Sequence, residues 1–113
     1  MKFEVHHLDW SRAREQEPKL FADATVLADS DAVRTLQERG FYAHVAAVEL
    51  EPAEEEPALE EVYMLTNSID RHWSENSEVT ITDSPKLRST SVGDILCIKD
   101  RHYLVAALGF ERL

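Results

Sequence analysis

Pro57-Ala58-Leu59-Glu60-Glu61-Val62-Tyr63-Met64-Leu65-Thr66-Asn67-Ser68-Ile69-Asp70-Arg71-His72 is the stretch on which the reading of the fold turns. Leu59, Val62, Tyr63, Thr66, Ile69 and Trp73 recur at three- and four-residue steps, and Ala58, Met64 and Leu65 widen the stripe. That spacing predicts a largely buried helix from Pro57 to about His72. The ends agree with the periodicity. Proline suits a first helical position and follows acids, while Arg71 and His72 suit the negative pole of the helix dipole.

Working outward, Phe41 to Leu50 is apolar on both alternating faces and predicts a central strand. Glu78 to Thr82 alternates, and the apolar runs Asp94–Lys99 and His102–Leu108 flank Asp100-Arg101 as in a tight hairpin. Upstream, Lys2–Leu8 reads as a strand, Asp9–Pro18 is polar with no element assigned, and Phe21–Leu27 reads as a short strand. Asp29 or Ser30 caps a helix near 30–39 carrying Ala32, Val33 and Leu36, with Gly40 as its stop. The expected architecture is one α+β domain over residues 1–113, a mostly antiparallel sheet packed against one or two helices.

Composition bounds the function. The chain has 113 residues and a net charge of −10. No apolar run approaches the roughly 20 residues of a membrane span, and the N-terminus lacks the apolar stretch of a secretory signal, so a cytoplasmic location is expected. The one cysteine, Cys97, sits in the apolar run Ile95-Leu96-Cys97-Ile98, which marks a buried structural thiol. Charge is uneven: residues 1–48 carry −2, residues 49–70 carry −8, and residues 71–113 carry zero. Seven glutamates fall between Glu49 and Glu61 with no lysine or arginine among them. Phosphates are repelled by such a chain, so neither nucleic acid nor an anionic membrane is an expected partner, whereas a basic protein is. Glu51, Glu54, Glu55 and Glu56, on an acidic loop at about 49–57, are the first candidate partner-binding residues.

Catalytic and metal motifs are missing from the sequence. His6 and His7 point to opposite faces of a strand and cannot grip one metal together, and His44, His72 and His102 lack ligand spacing around them. No phosphate loop, dinucleotide fingerprint or nucleophile elbow occurs, so no cofactor, no metal and no catalytic residue are expected. Arg88-Ser89-Thr90-Ser91-Val92-Gly93-Asp94 has two readings. It is a strand-entry turn, or a cradle in which Arg88 and the hydroxyls hold an anion or carboxylate while Gly93 allows close backbone approach.

Tyr63-Met64-Leu65-Thr66-Asn67-Ser68-Ile69-Asp70, then Trp73, the Arg88–Asp94 heptapeptide and a final Gly109-Phe110 together resemble the YodL-like family. The similar part spans about residues 59–113. Members are small proteins or modules of plasmids, conjugative elements and phages, sometimes beside antirestriction modules. The resemblance implies a role in conflict with host defence and carries over no catalytic residue. It adds Asn67, Asp70, Trp73, Arg88, Ser89, Thr90, Ser91, Gly93 and Asp94 to the candidate partner-binding set, on the expectation that they converge on one surface; the equal alternative is structural, with Asn67 and Asp70 capping the helix C-terminus and ordering the following loop while Trp73 closes the core. The resulting expectation is a non-catalytic accessory protein of a mobile element that blocks a host or element protein by occupancy, in the manner of an anti-CRISPR or antirestriction inhibitor. The alternative is a small enzyme or nucleic-acid-binding module using the Arg88–Asp94 turn. On the binding reading, removing the Arg88 side chain, or neutralising Glu54, Glu55 and Glu56, leaves the fold intact.

Overall fold

A computed structural model describes residues 1–67, 73–82 and 88–113. The described elements run β1 (Lys2–Leu8), α1 (Trp10–Gln16), α2 (Pro18–Thr25), α3 (Ser30–Glu38), β2 (Tyr42–Glu49), α4 (Glu55–Leu65), β3 (Val79–Ile81), β4 (Ile95–Ile98), β5 (Arg101–Val105) and β6 (Phe110–Arg112). All six strands join one antiparallel sheet in the order β3-β2-β1-β4-β5-β6. The fold is α+β, as the sequence predicts.

Helices cover both faces of that sheet, which explains why β2 and β4 are apolar in both directions. Phe3, Val5, Val48 and Leu96 meet Leu59 and Val62 of α4 and the indole of Trp73 in one core. Leu8, Ile95, Cys97 and Leu104 meet Ala13, Ala24, Val33 and Leu36 from α1–α3 in the other. β1 lies at the centre, between β2 and β4, so its N-terminal position in the chain does not make it an edge.

Two expectations change. Phe21–Leu27 is not a strand: residues 18–25 form α2, with Pro18 at its first turn and Ala24 buried, while Val26 and Leu27 protrude beyond it. The polar segment after β1 forms α1, which the Asp9 side chain caps by accepting from the Arg12 backbone N–H. The long helix begins at Glu55, two residues before Pro57, and its described part ends at Leu65, with Thr66 as C-cap. Residues 68–72 of the expected helix lie outside the described residues. Its buried stripe is narrower than expected: Ala58, Leu59, Val62 and Thr66 are buried, but Met64 is 68% exposed.

Candidate functional site

The Arg88–Asp94 turn is bonded into the fold at several points. Asp94 is wholly buried, and both its oxygens are engaged. The two terminal nitrogens of Arg88 donate to Asp94 Oδ2 and Oδ1 at 2.6 and 2.7 Å, a fork-to-fork pair. The backbone N–H groups of Leu8 and Ser91 donate to the same carboxylate at 2.9 and 2.8 Å. Arg88 also donates to the carbonyls of Leu8 and Ser89, and its guanidinium lies 3.9 Å from the centroid of the Trp10 ring. The turn is thereby fastened to the end of β1 and the start of α1.

Neighbouring contacts complete this latch. His7 Nε2 lies 2.9 Å from the Thr90 hydroxyl, and the Thr90 N–H donates to the Thr66 carbonyl at the end of α4. Trp73 Nε1 donates to the Arg88 carbonyl and the ring stands edge-on to His7. Burial pushes the His7 imidazole down to about 4, with Arg88 adding to the effect and Asp94 opposing it. Tyr42 donates to the Gly93 carbonyl, and burial, with Asp94 beside it, pushes its phenol up. Gly93 has φ +95°, and a Cβ there would stand 3.0 Å from the Ala24 carbonyl oxygen of α2.

The family-like residues therefore converge, but inward. Thr90, Gly93 and Asp94 are buried, Ser89 and Ser91 are half-buried, and Asn67 donates its amide to the Tyr63 carbonyl to finish α4. Asp70 lies outside the described residues. Arg88 is not a free donor awaiting a ligand, so the expectation that its removal spares the fold is corrected: it is the counter-charge of a buried carboxylate.

The acidic segment divides in the same way. Glu55 is not on a loop. It begins α4 and accepts from the Arg101 guanidinium and the Tyr103 hydroxyl on β5, contacts that hold its carboxyl below the usual range, Tyr103 foremost. Glu51, Glu54 and Glu56 are exposed. A groove of about 530 Å³ is lined by Glu49, Leu50, Glu51, Pro52, Ala53, Glu61 and Glu78, four carboxylates with no lysine or arginine side chain. The Met1 ammonium stands 4.0 Å from Glu49, the nearest cation to it among the described residues. Glu61 and Glu78, absent from the expected set, join the groove because α4 and β3 fold back on the end of β2.

No family model, curated protein or solved structure matches this chain. The resemblance to YodL-like proteins therefore rests on residues 59–113 alone, and the site on its geometry. No helix of the described residues is long and apolar enough to cross a membrane.

A third cluster escapes sequence reading altogether. His6 and His7 do point to opposite faces, but the register of β1 on β2 sets His6 directly against His44, with Glu4 two residues along the same face. One donor atom each from Glu4, His6 and His44 lie within 4.8 Å of one another. Burial, and His44 beside it, lowers the His6 pKa against the raising effect of Glu4. Only the pairing register reveals this, and an irregularity in β2 sets that register.

Proposed function

We propose that this chain is a non-catalytic binding module that docks a basic protein surface on the acidic groove between the end of β2, β3 and α4. The observation that carries the reading is the lining of that groove: four carboxylates from three segments, with no basic side chain among its lining residues. Exposed Glu54, Glu56 and Glu60 extend the same negative surface along the start of α4. Exposed ion pairs contribute only about 0.2–1 kcal/mol each, so this field mainly steers encounter and orients the partner. Affinity needs apolar burial, and the other flank of α4 supplies it. A cleft of about 340 Å³ there is lined by Tyr63, Met64, Val92, Val105 and Phe110 among others.

The partner is a host or element protein with a basic nucleic-acid site, and occupancy of that site is the mode of action. This is the role in conflict with host defence, of anti-CRISPR or antirestriction type, that the likeness to mobile-element proteins implies. The same latch contacts weigh against an enzyme or nucleic-acid module built on residues 88–94. Arg88, Asp94 and Thr90 already bond to the fold there, and a substrate would have to displace those bonds.

The test compares wild-type protein with a Glu51→Gln/Glu54→Gln/Glu61→Gln variant as bait in host lysate, read by quantitative mass spectrometry, then by association rates at several salt concentrations. A basic partner held by the wild type should associate more slowly with the variant and with a flatter salt dependence. Equal capture and equal rates for both would overturn the assignment of the groove. Glu55 is excluded from the variant because its loss would loosen α4 from β5.

A further inference from the structure

Two imidazoles and a carboxylate on one face of adjacent strands form a donor set with a known chemistry. We infer that Glu4, His6 and His44 form a binding site for a zinc-class divalent ion, with three protein ligands and an open position. Up to Val5, β1 and β2 pair in simple register, Val5 against Ala46. Continued unchanged, that register would put Val45 opposite His6. One extra residue in β2 shifts the pairing, so that His44 takes the place opposite His6. A bulge of this kind re-aims a side chain, and here it exchanges an aliphatic neighbour for a second imidazole.

The geometry suits an ion. Glu4 Oε1 is 3.3 Å from His6 Nε2, and the rings of His6 and His44 stack at 5.0 Å with 14° between their planes. Ligand bonds to zinc are about 2.0–2.2 Å, which puts tetrahedral donor atoms roughly 3.4 Å apart. The three donor atoms lie within 4.8 Å of one another, and side-chain rotations would have to bring them to that spacing around an ion. Room for them exists, since the Glu4 and His6 side chains are 49% and 24% exposed. The same exposure leaves a coordination position for water or for a donor atom of a partner.

The surroundings support the donors. The Thr82 hydroxyl donates to the His44 carbonyl, fixing its backbone, and His44 Nε2 lies 3.1 Å from the Ala46 carbonyl. A ring nitrogen held on a backbone carbonyl fixes the tautomer and leaves the other nitrogen with its lone pair, the usual outer-shell arrangement at metal-bound histidine. Across β4 from Glu4, Cys97 shares the face but is buried, and beyond it His102 is bonded to Gln37 of α3. Two imidazoles select a borderline transition-metal ion over Mg²⁺ or Ca²⁺, which prefer all-oxygen shells. The site lies on the sheet face opposite α4, so it is independent of the acidic groove and of the binding function proposed for it.

The test is calorimetric titration of untagged, chelator-stripped protein with ZnCl₂, with Co²⁺ as a spectroscopic stand-in and MgCl₂ as the hard-ion control. The expected result is one equivalent of zinc bound, a higher thermal midpoint, and a visible Co²⁺ band of low-coordinate character. His6→Ala, His44→Ala and Glu4→Gln should each weaken zinc by at least the roughly 10–100-fold that loss of an outer-shell partner alone costs. His102→Gln should leave it unchanged. Urea midpoints of the metal-free variants separate loss of a ligand from loss of the fold. Absence of stoichiometric zinc binding, or zinc binding that survives His6→Ala and His44→Ala in folded protein, would overturn the site.

Discussion

Arg88→Ala should destabilise the domain by leaving the buried Asp94 carboxylate without its counter-charge. Truncation removes both hydrogen bonds of the fork to Asp94, two donations to the Leu8 and Ser89 carbonyls, and the cation over Trp10. Among the described residues, the buried Asp94 then keeps the N–H groups of Leu8 and Ser91 as its hydrogen-bond donors, with the neutral His7 ring 3.9 Å away. Stranding one partner of a buried ion pair costs about 3–5 kcal/mol. Arg88 is itself 23% exposed on its side chain, which places the expected loss toward the lower end, about 3 kcal/mol. Against a total stability of roughly 5–15 kcal/mol for a domain, that is a large fraction. Urea unfolding followed by tryptophan fluorescence reads the loss as a lower midpoint at unchanged slope. Arg88→Ala combined with Asp94→Ala should lose less than the sum of the two single changes, because the second substitution removes the stranded charge. An Arg88→Ala midpoint within about 0.5 kcal/mol of wild type, the range of neutral surface changes, would refute the latch.

Other consequences are independent of that pair. His7 binds a proton below about 6.5 when unfolded but only near 4 when folded, so the unfolded state takes up the extra proton in that window. The His7 contribution to stability should be constant above pH 6.5 and fall as pH drops toward 4, by up to about 1.4 kcal/mol per unit, and His7→Gln should reduce the slope. Cys97 is 5% exposed and burial pushes its thiol up to about 12. Native protein should therefore resist a thiol reagent that labels unfolded protein rapidly, and fast native labelling would contradict the burial. Gly93→Val should lower the thermal midpoint more than Gly40→Ala. Both glycines have positive φ, but only a Cβ at 93 meets backbone of α2. Equal effects would show that backbone conformation alone is at stake.

Elements whose apolar faces meet a core were legible in the sequence, and elements whose faces meet solvent were not. β2 and α3 announced themselves because Val45, Ala46 and Val48, and Ala32, Val33 and Leu36, are buried at the expected spacing. α1 and α2 bury one residue each, Ala13 and Ala24, so no stripe marked α1 as a helix or distinguished α2 from a short strand. β6, with Phe110 half-buried and Glu111 and Arg112 exposed, left no pattern at all. The heptapeptide was visible as a feature, but not the direction in which it acts. Arg88 and Asp94 read as surface donors and acceptors until β1 brings the Leu8 backbone between them. Glu55 was hidden among its neighbours for the same reason, since only packing against β5 separates it from Glu54 and Glu56.

Hydrogen exchange of the protein with its captured partner distinguishes docking on the acidic groove from docking on the 88–94 turn. Docking on the groove should give new protection at residues 49–54, 60, 61 and 78, with the amides of residues 88–94 unchanged on binding. Protection confined to residues 88–94, with the groove exchanging as in the free protein, would contradict it.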